Sequence, residues 1–216
     1  MAEPIKANNQ FVNSDEHRIF FTSDTHFGHS KIIEYTNRPF ADADEMNEEL
    51  IRRWNDAVRP QDTVFHLGDV AFGNIDVAKE CLDRLNGRII LCIGNHDMHM
   101  LSDKRFTGRF ESINWKMYVH IMDKTDGKTT AMYLNHEPLM CFGGAWRFGD
   151  RLVWNLFGHV HSGPNTKNGL DIDRLSQCMP SHYDVGVDNN DYTPVYLGDL
   201  KNIINTQVQS LNMHRG

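Results

Sequence analysis

Five short apolar runs recur along the chain, and each one ends abruptly in polar residues. Their lengths and their content of β-branched and aromatic residues are typical of buried β-strands. The runs are Ile19–Phe21, Val64–Leu67, Ile89–Ile93, Ala131–Leu134 and Leu152–Phe157. The sequence therefore predicts a protein built around strands that lie in its core.

Helices are predicted between the first three runs, over residues 30–37, 44–58 and 75–85. Arg38-Pro39 ends the first helix, because a residue before proline is pushed out of the helical region. In the second helix, apolar residues recur on one face from Met46 to Ala57. Strand and helix alternate through this half of the chain, which favours parallel βαβ units and an α/β fold.

The second half is predicted to be more antiparallel. Residues 113–121 and 129–134 resemble two strands joined by the turn Thr125–Lys128, a hairpin signal. Long loops are predicted at 142–149 and 162–182, a closing helix at 198–213, and a loosely ordered polar lead-in at 1–17. No repeat or linker divides the sequence, so residues 1–216 are predicted to form a single domain.

Side chains that bind metals follow the apolar runs directly. Taken alone, Gly94-Asn95-His96-Asp97 fits an ordinary turn with a surface histidine better than it fits a site. The recurrence of the pattern favours a site, because the carboxyl ends of neighbouring strands meet at one edge of a sheet. That edge would carry two carboxylates, one amide and five imidazoles, a set suited to divalent transition metals. These residues are Asp24, His26, Asp69, Asn95, His96, His136, His159 and His161.

Taken in order, these motifs resemble those of the calcineurin-like metallophosphoesterase superfamily. The matching motifs are Asp24-x-His26, Gly68-Asp69, Gly94-Asn95-His96-Asp97, His136 and Gly158-His159-x-His161. The likeness is greatest to small, uncapped bacterial and phage-encoded members, which similarly carry Thr-Ser-Asp-x-His-Phe-Gly-His, Arg-Pro-Phe and Val-Gly-Val-Asp, here ending at Asp188. The resemblance implies a metallophosphoesterase-type sandwich of two mixed β-sheets flanked by helices, with a two-metal centre.

The same resemblance implies a role for each motif residue. One metal would be held by Asp24, His26, Asp69 and His161, and the other by Asp69, Asn95, His136 and His159, with Asp69 bridging. Two cations ~3.5–4 Å apart acidify a shared water and so supply a bridging hydroxide as nucleophile. His96 would act as the general acid that protonates the leaving oxygen. Asp97 is expected to fix the turn.

Manganese is the expected metal, with iron, zinc, cobalt or nickel as alternatives, because calcium prefers ligand sets made of oxygen throughout. Three further residues are candidate contacts to the substrate: His29, Arg38 and Arg147. Arg38 lies near the first motif, but a solvated loop arginine is an equal alternative. Trp146 and Arg147 lie in the glycine-rich loop 142–149, where ordinary packing is the alternative.

The segment after Asp69 departs from the protein Ser/Thr phosphatases of the superfamily. Those enzymes continue the motif as Gly-Asp-x-Val-Asp-Arg-Gly and place Glu after the third-motif histidine, whereas this chain has Val70–Asn74 and Asp97. A phosphate-binding arginine and the usual acidic partner of the catalytic histidine are missing from those positions. Phosphoprotein phosphatase activity is therefore disfavoured. Asn135 also stands before His136 where relatives often have serine, and the sequence does not explain it.

Composition and charge limit the classes of molecule that the protein is expected to bind. A net charge of −7 gives no general attraction to nucleic acid or to anionic membranes, but bound cations would reverse the local potential and admit an anionic phosphoester. No segment resembles a signal peptide or a membrane span. Four widely spaced cysteines without a C-x-x-C pair predict buried free thiols and a cytoplasmic protein. Nothing in the sequence specifies an oligomeric state.

The leading functional prediction is a metal-dependent phosphodiesterase acting on a small nucleotide or nucleic-acid-derived substrate. The alternatives are a phosphomonoesterase or nuclease of the same superfamily, and a catalytically inactive metal-stabilised binding module. The sequence shows neither a basic stripe nor interleaved aromatic platforms, the features that an extended nucleic-acid surface normally uses. His96 disfavours the binding module, because a scaffold needs the metal ligands but not the acid.

Overall fold

The predicted strands and helices are present, with several changes at their ends. A computed structural model describes residues 9–145, 147, 151–165, 175 and 178–213. The strands are β1 (Gln10–Asn13), β2 (Ile19–Thr22), β3 (Thr63–His66), β4 (Arg88–Cys92), β5 (Phe110–Asn114), β6 (Lys116–Asp123), β7 (Lys128–Asn135), β8 (Val153–Phe157), β9 (His182–Asp184) and β10 (Val195–Tyr196). The helices are α1 (Ser30–Thr36), α2 (Ala43–Ala57), α3 (Ile75–Asp83), α4 (Lys104–Thr107) and α5 (Leu197–Met213).

The ten strands form two mixed sheets of five. The first sheet has the order β10-β2-β3-β4-β5, in which β2 to β5 are parallel and β10 is antiparallel to β2. The second sheet has the order β1-β6-β7-β8-β9, with an antiparallel β6–β7 hairpin and parallel pairing elsewhere. The two mixed sheets flanked by helices confirm the predicted sandwich.

Two hydrophobic cores explain why the apolar runs of the first half are continuous. Along β4, Ile89 and Leu91 pack against α1, α2 and α3 on one face of the first sheet. Ile90 and Cys92 point to the other face and pack against the second sheet, where they meet residues such as Leu134. Because both faces of these strands are buried, no polar alternation is required.

Helix ends follow the local sequence. Asn37 takes the left-handed conformation after α1, with φ of 55°, and its N–H closes the helix on Ile33. Asp42 precedes α2, and its side chain accepts a hydrogen bond from the Glu45 N–H. Asn74 caps α3 in the same way through the Asp76 N–H. The helices therefore begin and end where short polar side chains satisfy free backbone groups.

Two predicted segments are wrong in detail. Residues 113–121 are not one strand, because the chain bends at Trp115 and passes from one sheet to the other. Ile113 pairs with Leu91 in the first sheet, whereas Met117 pairs with Leu134 in the second. The lead-in 1–17 is also not uniformly irregular, since β1 adds to the second sheet beside β6.

Three other expectations concern the whole chain. All four cysteines are free thiols, but only Cys81 and Cys92 are buried as predicted, whereas Cys178 is half-buried and Cys141 is exposed. None of the helices among the described residues is long and apolar enough to cross a bilayer. The predicted loops 142–149 and 162–182 are described only in part, and Trp146 lies outside the described residues.

Candidate metal centre

Loops at one edge of the sandwich bring the predicted ligands together. The loops after β2, β3 and β4 meet those after β7 and β8, since these strands end at a common edge. Two groups of side chains have ligand atoms within 4.8 Å of one another, close enough to hold a metal ion. The first cluster is Asp24, His26 and His161, and the second cluster is Asp69, His136 and His159.

Asp69 lies between the two clusters. Its Oδ2 is 3.6 Å from His26 Nε2 in the first cluster and 3.3 Å from His136 Nε2 in the second. Asn95 belongs with the second cluster, because its Oδ1 lies 3.0 Å from His136 Nε2 and 3.0 Å from His159 Nδ1. The seven predicted ligands therefore lie together, with Asp69 close to a ring nitrogen of each cluster.

The polar atoms of this site fit cations better than they fit one another. His26 Nε2 is buried and lacks a hydrogen-bond partner among the described residues. His136 donates its Nδ1–H to the Leu67 carbonyl at 2.8 Å, which directs Nε2 toward Asn95 Oδ1 and His159 Nδ1. Converging ring nitrogens and carbonyl oxygens of this kind are typical of transition-metal sites whose histidines are held by outer hydrogen bonds.

The close packing of ionisable side chains shifts the pKa values of the histidines in this site. Burial, helped by His161 and Arg38, lowers the pKa of His26 well below its ordinary value and keeps this imidazole neutral. Burial also opposes the charge on His136, but Asp69 and Asp24 outweigh it and raise the pKa of His136 to about 9. The two carboxylates thus favour positive charge at His136, as they would favour a bound cation.

Backbone strain is concentrated on the predicted ligands. Eight non-glycine residues in the described part of the chain have positive φ, and five of them belong to the two clusters. These five are Asp24 (58°), His26 (50°), Asp69 (56°), His159 (70°) and His161 (47°). Such conformations cost ~1–3 kcal/mol each and persist only where the surroundings enforce them. Ligand geometry is therefore favoured here over local backbone stability.

Two glycines allow the loops to approach this closely. A Cβ at Gly94 would overlap Asp69 Oδ1, and a Cβ at Gly158 would overlap Asp24 Oδ2 and Ser23 Oγ. Any side chain at either position would push a cluster carboxylate out of place. Both glycines are therefore required by contact rather than by φ.

Asp97 holds the loops rather than contributing to either cluster. Its carboxylate is buried and accepts hydrogen bonds from the N–H groups of Asp69, Val70 and Gly94 at 2.8–2.9 Å. Burial raises its pKa to about 6 despite these bonds. The contacts agree with the predicted role of Asp97 in fixing the turn, and they extend that role to the loop that carries Asp69.

His96 lies on the rim of the site. Its backbone N–H donates to Asp69 Oδ1 at 2.8 Å, while its side chain is 36 % exposed. The ring centroid is 5.3 Å from that of His26, and Nε2 is 4.0 Å from Asp69 Oδ2. His96 belongs to neither of the two clusters among the described residues, and its imidazole is partly open to solvent.

His29 is adjacent to the first cluster, with its Nδ1 3.3 Å from His26 Nδ1. It stacks on Phe72 with ring centroids 4.3 Å apart. Burial, reinforced by His96 and Arg38, lowers the pKa of His29 to about 4, so this imidazole is neutral. A substrate contact by His29 would therefore be a hydrogen bond or a stacking contact, and not a charge pair.

Of the two arginines predicted as substrate contacts, Arg38 is buried away from solvent. The Arg38 side chain is 0 % exposed and is paired with Asp188, so it faces neither solvent nor a phosphate. A solvated loop arginine, the other interpretation of the sequence, is equally wrong. Arg147 is exposed, and its backbone N–H donates to the Gly144 carbonyl at 3.1 Å, so its contact with a substrate stays a prediction.

Asp188 is a contributor that the sequence did not assign. It lies in a short 3₁₀ turn, Val187–Asn189, and its Oδ2 is 2.7 Å from His161 Nδ1. Burial opposes its charge, but Arg38 and His161 outweigh this and hold the pKa of Asp188 well below its usual range. Asp24 and Asp188 in turn raise the pKa of His161 against the effect of burial.

Two further polar residues support the loops from within the strands. His66 accepts the Gly68 N–H at Nδ1, so its Nε2–H donates to Thr25 Oγ1 at 2.9 Å, and the first two loops are joined. Asn155, in buried β8, donates to Asn135 Oδ1 and accepts the Leu139 N–H, which shapes the turn around His136. The available sequence signal was a polar residue inside an apolar run.

Comparisons with known proteins agree with this geometry. The family model for calcineurin-like phosphoesterases matches residues 17–174, a range that includes all seven predicted ligands. The chain is 32 % identical over 193 residues to the uncharacterized protein MJ1445 of Methanocaldococcus jannaschii, covering 87 % of this chain and 91 % of the relative. It is 29 % identical over 187 residues to the Gene 66 protein of Mycobacterium phage D29, covering 79 % and 87 %.

A solved structure has the same fold. The protein of unknown function AQ665 from Aquifex aeolicus superimposes with a TM-score of 0.60 at 25 % sequence identity. The match covers 87 % of this chain and 99 % of that one, so the sandwich is shared almost from end to end.

Proposed function

Because the chain belongs to the calcineurin-like phosphoesterase family, we propose that it is a di-metal-dependent phosphoester hydrolase. The observation that carries the proposal is the position of Asp69, within 3.6 Å of a ring nitrogen from each cluster. A carboxylate shared in this way can link two metal sites into one centre. The ligand set of histidine nitrogens with carboxylate and amide oxygens supports manganese as the metal, with iron, zinc, cobalt or nickel as alternatives.

The protein residues divide the work between holding cations and moving a proton. When bound, two divalent cations supply Lewis acidity toward the phosphoester and toward water. The seven ligands fix where this occurs. His96, on the rim and partly exposed, donates a proton from its imidazole to the leaving oxygen. The hydrogen bond from its backbone N–H to Asp69 keeps the acid in register with the centre.

An aromatic patch beside His96 supports a nucleotide-derived diester as the substrate. Phe72 is 38 % exposed, stacks on His29 and lies edge-on to His96 with centroids 5.2 Å apart. A base on the leaving group would meet this ring, and base–aromatic stacking contributes ~1–3 kcal/mol per base. Phe72→Ala should therefore lower kcat/KM by ~10-fold for a dinucleoside monophosphate and leave a glycerol phosphodiester unaffected.

The segment after Asp69 supports small diesters over phosphoproteins. Residues 70–74 contain no arginine that could bind a phosphate. Val70 and Ala71 are buried, and Ala71 forms a β-bridge with Phe27. We expect higher rates on small phosphodiesters than on phosphopeptides. Equal or higher rates on phosphopeptides would contradict this preference.

The direct test is hydrolysis of bis(p-nitrophenyl) phosphate by metal-free protein before and after addition of Mn²⁺. Activity should require the metal and should be lost in Asp69→Asn. Asp76→Asn, which changes an exposed aspartate on α3, is the matched control and should retain the wild-type rate. Absence of hydrolysis by metal-loaded protein on diesters, monoesters and oligonucleotides would identify a binding module instead.

A further inference from the structure

Arg38 and Asp188 form a buried ion pair that reaches the first cluster from outside it. Arg38 donates from Nε to Asp188 Oδ1 at 2.8 Å and from Nη2 to Asp188 Oδ2 at 2.9 Å. The side chains are 0 % and 4 % exposed. This bidentate geometry fixes both planar groups relative to each other.

Each partner of the pair also contacts a member of the first cluster. Asp188 Oδ2 is 2.7 Å from His161 Nδ1, so the outer nitrogen of this imidazole is held by a carboxylate. Arg38 Nη2 donates to the backbone carbonyl of Asp24 at 2.7 Å, and Nη1 donates to that of Thr25 at 3.1 Å. One ion pair thus ties the main chain of Asp24 to the ring of His161.

The second cluster has a different arrangement. His136 Nδ1 donates to the uncharged carbonyl of Leu67 at 2.8 Å, and the contacts of the Arg38–Asp188 pair do not extend to it. Asp24 and His161 are both at positive φ, so their side chains stay in place only if the surroundings enforce it. Through its hydrogen bonds, the Arg38–Asp188 pair holds residues of the first cluster in place and not those of the second.

We propose that Arg38 and Asp188 are a positioning pair that sets the metal affinity of the first cluster while leaving that of the second unchanged. The inference rests on the proposed function, because it assumes that both clusters bind metal. Outer partners of metal-binding histidines typically change affinity by ~10–100-fold when they are removed. A purely structural ion pair would lower folding stability without separating the two sites.

The test is calorimetric titration of metal-free protein with Mn²⁺. Asp188→Asn should weaken one of two binding steps by ~10–100-fold and leave the other at its wild-type value. To assign the steps, the same substitution is made in His136→Ala, which retains the first cluster, and in His161→Ala, which retains the second. Asp188→Asn should weaken Mn²⁺ binding in the His136→Ala background and should not change it in the His161→Ala background.

Asp62→Asn is the matched control. Asp62 is a fully buried carboxylate that accepts hydrogen bonds from Arg18 and Arg59 at the start of β3, the opposite end of the strand from the clusters. It should destabilise the fold while both Mn²⁺ affinities stay at wild-type values. If Asp188→Asn leaves Arg38 uncompensated and the protein does not fold, Arg38→Gln/Asp188→Asn removes both charges and should give the same selective loss.

Equal weakening of both steps, no weakening, or an equal effect of Asp62→Asn would overturn the positioning role and leave the proposed function intact. Failure of the wild-type protein to bind Mn²⁺, and likewise iron, zinc, cobalt and nickel ions, would instead overturn the proposed function together with this inference.

Discussion

In the loop after β4, three neighbouring side chains make different contacts. The Asn95 side chain faces the second cluster, whereas the ring of His96 lies on the rim and Asp97 turns inward to hold three backbone N–H groups. In the proposed function, metal binding, proton transfer and loop geometry therefore fall to three adjacent residues. Each can be changed without removing the other two.

His96→Ala should keep both metal ions, because His96 is in neither cluster. Its rate on a dinucleoside monophosphate should nevertheless fall by ~10²–10⁴-fold, the usual contribution of a general acid. Nitrophenolate is a good leaving group that needs little protonation, so bis(p-nitrophenyl) phosphate should be affected far less. Metal analysis and steady-state rates on the two substrates check this. Loss of a metal, or equal slowing of both substrates, would show that His96 is a ligand or a binding residue.

The strain at His159 makes a second prediction that does not involve catalysis. His159 has φ of 70°, a conformation that costs a residue with a Cβ ~1–2 kcal/mol. In metal-free protein, His159→Gly should therefore be more stable than His159→Ala by ~1 kcal/mol, as measured by urea unfolding. At exposed His99, which lacks a positive φ, the order should reverse. The same order at both positions would show that His159 is not strained.

The sequence predicted the cluster residues because each one follows its strand directly, so local order along the chain was enough. It could not predict the role of Arg38, whose partner Asp188 is 150 positions away. The contribution of Asn135 was also invisible, since it depends on a hydrogen bond from Asn155 across two strands. Long-range polar contacts leave no periodic signal in the sequence.

Helices and strands whose apolar residues recur with a single period were predicted well. α2 was expected over 44–58 and is found at Ala43–Ala57, because its apolar face and its cap are both local features. β5 and β6 were merged into a single predicted strand, since residues on both sides of Trp115 alternate in the same way. The change of sheet at this bend depends on pairing with β4 and β7, which are distant in sequence.

The closing helix α5 is attached to the β6–β7 hairpin through Lys201, which binds Asp123 and Asp126. Burial opposes the charge on Asp123, but Lys201, Asn13 and Thr125 outweigh it and lower the pKa of Asp123 to about 2. Because the folded pKa is below the unfolded value of about 3.9, this stabilisation is present above pH ~4 and is lost as pH falls toward 2.

Asp123→Asn should therefore be less stable than the wild type at pH 6, and the difference should shrink between pH ~4 and ~2. Urea unfolding monitored by circular dichroism across this range measures the difference directly. Asp126→Asn, which alters a more exposed partner of the same lysine, should show a smaller effect. A difference that stays constant to pH 2 would show that the Asp123 charge does not anchor α5.

For the molecule as a whole, the site depends on both sheets at once. The loops after β2, β3 and β4 come from the first sheet and those after β7 and β8 from the second, and the core between the sheets holds them in register. Sequence reasoning reached this architecture through the family resemblance, because strand order and sheet membership are not written in any local pattern.

The central claim is that two ions, joined by Asp69, act as one catalytic centre. The measurement that tests it most directly is the initial rate of bis(p-nitrophenyl) phosphate hydrolysis as metal-free protein is loaded with increasing equivalents of Mn²⁺. The rate at one bound ion per chain should be well below half of the rate at two, and it should level off at two. Full activity with one bound ion, or no activity with two, would contradict the account.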